Sequence, residues 1–172
     1  MEERGQGRQG PISEFLMEDH RRLDGLLQST AADSCLRDDA TYHQFRAGLL
    51  RYIGIEEKIL LPAVQRLRGG TPLPVAAQLR LDHGALAALL MPTPTISIMA
   101  MIQTILEGHN MIEEGPDGLY EMCDLSPPAE RERLLTVLRA VPPVGVMPYS
   151  DTPAVMGVIQ RAVVRAGYEF KE

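Results

Sequence analysis

Apolar residues recur along this chain at spacings of three and four, and alternation of period two over a strand's length is nearly absent, so helices are expected throughout. The first, about residues 12–30, carries Leu16, His20, Leu23 and Leu27 as one continuous stripe. The second, about 39–68, opens near Asp38 and Asp39 as capping acids and puts Phe45, Leu49, Tyr52, Glu56, Leu60, Ala63 and Leu67 on one face. Pro62 removes a backbone donor inside that pattern, so a bend or local irregularity is expected just past the glutamate. Gly69 and Gly70 close this segment, and a third helix, about 73–91, aligns Leu79, His83, Leu86 and Leu90. A fourth, about 95–114, presents Ile98, Ile102, Ile105, His109 and then Ile112 with Glu113, before Gly115 and Pro116 stop it. Four helices of similar length joined by short loops describe an all-α, up-and-down antiparallel four-helix bundle.

The remainder is less regular. "SPPAERERLLTVLRAV" predicts a short helix from near Ser126 with Leu134, Leu138 and Val141 buried, followed by the proline-rich link "VPPVGVMPYSDTP". A tail helix then starts with Thr152 as N-cap and Pro153 in the first turn. Its apolar face, Val155, Ile159, Val163 and Ala166, is expected to cover the bundle or to join a second copy in a homodimer. The organisation expected is a flexible tail over 1–11, the bundle over 12–124, and a C-terminal helical extension over 125–172.

A length of 172 residues suits one core. Net charge of -6, with no cluster of lysine or arginine, argues against nucleic acid or an anionic membrane as partner. Cys35 and Cys123 lack the spacing of a disulfide framework or a zinc ribbon, which points to free thiols in a reducing compartment. The N-terminal "MEERGQGRQG" has no signal-peptide core, and no run of about 18 apolar residues spans a bilayer. A cytoplasmic location is expected.

What changes the picture is the polar set on the apolar stripes. "YIGIEEKILLP" and "HNMIEEGPDGLY" align so that Tyr52 matches His109, Glu56 matches Glu113 and Glu57 matches Glu114. Residues four apart share a helix face with Cβ atoms roughly 6 Å apart, so a donor nitrogen and a carboxylate can reach one centre. A buried, unpaired carboxylate is costly, and a cation compensates its charge directly. His20 and His83 arrive from the other two helices, and three histidines with two glutamates are enough for two ions bridged by carboxylates. With nitrogen and oxygen donors only, iron, manganese and zinc are all admissible.

A lone inward histidine is more often a hydrogen-bonded core residue than a ligand. Here three of the four histidines fall on core stripes of three helices, and two helices also bury a glutamate, which favours metal over core packing. His43 falls off the stripe and is expected on the surface, as are Glu57 and Glu114, while Met99, Met101 and Met111 read as core filler. Tyr52 either binds a ferric ion as phenolate or packs while its hydroxyl bonds a ligand glutamate. Asp24, four residues after His20, either completes a coordination sphere or, as is expected of it, orients a histidine from outside the ligand set.

Taken in order, "EDHRRLD", "EEKILLP", "LDHGAL" and "HNMIEEG" resemble the motifs of the hemerythrin-like, or HHE cation-binding, domains over about residues 12–124. The resemblance implies a four-helix bundle around a non-haem di-iron centre, two iron ions joined by an oxo or hydroxo bridge, with zinc or manganese as alternatives. It implies a protein that binds dioxygen or reacts with dioxygen, peroxide or nitric oxide, or senses iron or oxygen. His20, Glu56, His83, His109 and Glu113 carry over as ligands by this resemblance, with Glu56 and Glu113 bridging. The chain departs from the family at Tyr52, where a histidine is usual, and at Leu79, where oxygen carriers place a second histidine. Three functions follow as expectations: a di-iron oxidoreductase, a stoichiometric sensor signalling through its C-terminal helix, or a zinc-stabilised structural bundle.

Overall fold

The computed structural model describes residues 10–32 and 39–170, and all secondary structure among them is helical. The expected cap Asp38, the thiol of Cys35 and most of the expected N-terminal tail lie outside the described residues. The long elements are α1 (Pro11–Ala32), α2 (Asp39–Ile55) continuing through a π-helical turn (Glu56–Leu60) into α3 (Leu61–Leu67), α4 (Ala76–Leu89) and α5 (Ile96–Glu114). Three shorter ones follow, α6 (Leu119–Asp124), α7 (Pro128–Ala140) and α8 (Pro153–Arg165). No helix among the described residues is long and apolar enough to cross a membrane.

The predicted stripes are the buried faces. On α1, Leu16, His20, Leu23 and Leu27 are buried, and on α5 Ile98, Ile102, Ile105, His109 and Glu113 are, with Ile112 half-buried. α1 packs on α2, α5, α6 and α7, and α4 packs on α5 and α8. Each buried leucine contributes roughly 2 kcal/mol, more than the roughly 1 kcal/mol at stake in a hydrogen-bonded polar group. The leucines flanking His20 on α1 therefore hold an imidazole in a core that would not choose one.

Pro62 produces the expected irregularity in a specific form. Leu61 donates its N–H to the carbonyl of Glu56, five residues back, and the wider turn accommodates a residue that has no N–H to give. The extra residue also slips the face of the following helix. Leu60, Leu61, Ala63 and Val64 are buried, whereas Leu67, predicted inward, is 42 % exposed.

α6 has no counterpart in the predicted pattern, being too short for periodicity to show. Its position comes from both ends. Gly118 passes so close to the carbonyl of Glu113 that a side chain there would collide with it. At the other end Asp124 caps α1, accepting from the N–H groups of Gly10 (3.1 Å), Ile12 (2.9 Å) and Ser13 (3.0 Å). Pinned this way, α6 turns Tyr120 and Cys123 inward, and both are buried.

α8 begins as predicted, with the Thr152 hydroxyl accepting from Val155 N–H, and Val155, Ile159, Val163 and Ala166 are buried. They pack against α4 of the same chain, so this face is not left for a second copy. Gly167, at φ 95°, ends the helix: Tyr168 N–H bonds the Val163 carbonyl and Gly167 N–H bonds that of Val164. The chain turns back there, bringing Tyr168 toward α4 and α5. Buried Arg46 of α2 donates to the carbonyls of Leu90, at the end of α4, and of Met147 in the link, and stacks on Tyr149 of the link, 4.4 Å from the ring centre.

Candidate metal centre

Glu56, His83, His109 and Glu113 each offer a ligand atom, and these atoms all lie within 4.8 Å of one another. All four residues are buried. The two histidines come from α4 and α5 and the two glutamates from the π turn and the last turn of α5.

Every one of the three histidines is held from behind. His83 Nδ1 is 2.6 Å from Glu57 Oε1, His20 Nδ1 is 2.6 Å from Glu114 Oε1, and His109 Nδ1 is 3.3 Å from Asp82 Oδ2. In a neutral imidazole a carboxylate at Nδ1 draws the ring proton there, which leaves Nε2 as a bare lone pair. All three Nε2 atoms face the two glutamates. His83 Nε2 is 2.8 Å from Glu56 Oε2, His109 Nε2 is 3.5 Å from the same oxygen and 3.0 Å from Glu113 Oε1, and His20 Nε2 is 3.5 Å from Glu113 Oε2.

These contacts pair acceptor with acceptor. Glu113 Oε1, fully buried and close to His109, receives no hydrogen bond at all. Tyr120 makes the shortage plainer, because its hydroxyl is 2.9 Å from His20 Nε2, 2.9 Å from Glu113 Oε2 and 3.2 Å from Glu56 Oε1. One phenolic proton cannot serve three acceptors. The donor set therefore asks for positive charge at its centre, supplied by protons or by metal, and nitrogen and oxygen donors at these separations fit a cation.

Without a metal, protons answer the demand. Burial pushes Glu56 up, but hydrogen bonds from His109 and His83 more than reverse it and hold its carboxyl at about 2. Glu113, by burial first and by the charge of Glu56 next, is held well above the usual carboxylate range. Burial disfavours a charged His109, yet the charge of Glu113 and hydrogen bonding to Asp82, Glu113 and Glu56 lift it to about 12. Burial raises the Tyr120 phenol well above its ordinary value.

Of the residues singled out in the sequence, the structure gathers Glu56, His83, His109 and Glu113 into one nest, with His20 at its edge reached through Tyr120. Tyr52 is buried with its ring 4.6 Å from that of His20 and its hydroxyl donating to Glu113 Oε2 at 3.4 Å, the second of its two expected roles. Asp24 does not orient His20. It is exposed and accepts from Gln28 at 2.7 Å, because Glu114 already occupies the outer nitrogen of His20.

Glu57 and Glu114, expected in solvent, are only 30 % exposed and anchor His83 and His20. The repeated "IEE" marked both only as neighbours of an inward glutamate, about 100° round the helix, a position where either water or another helix can stand. Asp82, beside His83 in "LDH", and Tyr120, seven residues past Glu113, had no such sign. Asp82 is itself tied to the C-terminal helix. Gln78 Nε2 donates to Asp82 Oδ1 at 2.8 Å and to the Ala166 carbonyl at 3.1 Å, and the Tyr168 phenol is raised by burial and then by Asp82. His43 is exposed, as expected.

Compared with models of protein families, with curated proteins and with solved structures, the chain matches none.

Proposed function

We propose that this chain is a hemerythrin-like protein: an antiparallel four-helix bundle holding two metal ions, iron foremost, that binds or reacts with dioxygen, peroxide or nitric oxide. The observation that carries the reading is how the carboxylate oxygens divide. Glu56 Oε2 and Glu113 Oε1 face His83 and His109, while Glu56 Oε1 and Glu113 Oε2 face Tyr120 and His20. Each glutamate thus offers one oxygen to each of two adjoining half-sites, as a bridging carboxylate does. His83 and His109 complete one half; His20 and the Tyr120 oxygen complete the other.

When bound, a pair of iron ions supplies electrons and open coordination positions to a small ligand. The protein's part is to hold the donors. Glu57, Glu114 and Asp82 fix the imidazoles, and Tyr52 hydrogen-bonds Glu113 and keeps that carboxylate turned. The set has more inward donors than a closed tetrahedral zinc site uses, which disfavours a structural staple.

Metal analysis with a visible spectrum tests this directly. Two iron ions per chain are expected, with a phenolate-to-iron absorption that Tyr120→Phe removes and Tyr52→Phe keeps. Colourless protein carrying a single zinc would end the di-iron reading. A second reading, a sensor that reports through α8, is favoured by the path from the Ala166 carbonyl through Gln78 and Asp82 to His109. Added peroxide separates the two: oxygen release over many turnovers supports an enzyme, and at most one turnover supports a sensor.

A further inference from the structure

A cavity of about 250 Å³ lies against the proposed centre, with His20, Tyr52 and His109 among its lining residues. That volume exceeds the needs of a diatomic ligand several-fold, since one water takes roughly 30 Å³ of liquid. Its walls include Leu27, Leu49 and Leu86, side chains that offer no hydrogen bonds to a chain of waters or a hydrated ion.

Its outer lining has a different character. Asp24 on α1 and Glu107 on α5 are exposed there, and each accepts from a neutral amide of its own helix, Gln28 at 2.7 Å and Gln103 at 3.2 Å. Neither carboxylate forms an ion pair among the described residues, no lysine or arginine lines the cavity, and buried His109, which is on the lining, is paired with Asp82 and Glu113 and not with these two acids. Asn110, also on the lining, has a buried side-chain oxygen with no hydrogen-bond donor. Apolar walls below unpaired negative charge and a spare acceptor suit an amphiphile whose charged end is a cation.

We propose that this cavity binds a small organic amine of about ten non-hydrogen atoms, its apolar body among the leucines and its ammonium at the Asp24 and Glu107 mouth. The proposal goes beyond the metal reading and rests on the cavity alone. The body of such a ligand lies against His20, Tyr52 and His109.

The test is titration of the full chain, metal-free and metal-loaded, with 2-phenylethylamine, 2-phenylethanol and phenylacetate, followed by calorimetry and ligand-observed NMR. The amine is expected to bind with a submillimolar Kd, the alcohol about fivefold more weakly because it lacks the charge, and the carboxylate not at all. Asp24→Asn with Glu107→Gln, both at exposed positions, should bring amine and alcohol to equal affinity, and Leu106→Phe on the half-buried wall should weaken both. Equal binding of amine and alcohol to the parent chain, or no amine binding, overturns the proposal. So does an amine affinity that the double variant leaves unchanged, or a double variant that only slows cobalt uptake, which would make the cavity an ion entrance. Metal content measured on the same samples keeps the readings apart: metal without amine binding sinks this proposal alone, and amine binding without metal sinks the metal centre alone.

Discussion

Replacing Glu113 by glutamine tests whether the buried acceptors exist for a cation. Glu113 is fully buried, and burial and the charge of Glu56 hold its carboxyl well above the usual carboxylate range, so its surroundings in metal-free protein favour an uncharged side chain. Glutamine keeps its shape. The amide oxygen can accept from Tyr120 and Tyr52 where Oε2 does, at 2.9 and 3.4 Å, and the amide nitrogen can donate to the Nε2 of a neutral His109 across the 3.0 Å that separates Oε1 from it. His109 then loses one of the groups that raise it and keeps its Nδ1 contact with Asp82. The metal-free variant should therefore stay within about 1 kcal/mol of the parent, or about 2–4 °C in Tm. Metal behaves oppositely. A site loaded at 1,000 times its Kd gains about 4 kcal/mol, which is about 8–16 °C for a chain of this size. Glu113→Gln replaces the oxygen that faces His109 by an NH2 group and removes the negative charge the two half-sites share, so nearly all of that gain should vanish. Differential scanning calorimetry with and without ferrous iron under anaerobic conditions reads both numbers. A metal-free Tm more than about 10 °C below the parent would show that Glu113 is a structural ion-pair partner, and a surviving metal-induced rise would show that it binds no metal.

Three further outcomes follow from the same geometry. Metal uptake should strengthen as pH rises through neutrality by at least tenfold per unit. His109, lifted to about 12, carries a proton there that a metal must displace, and a flat competition titration between pH 6 and 8 would refute this. Tyr120→Phe should lower metal stoichiometry from two ions to one with a stability loss of about 1 kcal/mol, because the hydroxyl serves only the half-site of His20, as metal analysis of dialysed protein would show. Gln78→Leu should weaken metal affinity about tenfold with helicity by circular dichroism unchanged, since it frees Asp82, which holds His109, from the end of α8.

Period and polarity along the chain were enough to place the long helices and to mark which face turns inward, except past the π turn, where Leu67 came out exposed. His20, His83, His109, Glu56 and Glu113 interrupt stripes of leucine and isoleucine at helical spacing, and burial of those stripes takes the polar residues along. Even the irregularity at Pro62 was legible, since a missing N–H is a property of one residue; its form as a π turn was not, because that depends on which wider register the surrounding helices accept. The rest was decided between elements. Whether Glu57 and Glu114 meet water or a histidine depends on what lies beside their helices, and no periodicity within one helix carries that. Tyr120 reaches the centre only because Asp124 anchors α6 to the start of α1, more than a hundred residues away in sequence. Donor types and helix faces are local properties of a chain; the pairing of one acceptor with another, which creates the demand for a cation, arises only when distant helices are packed together.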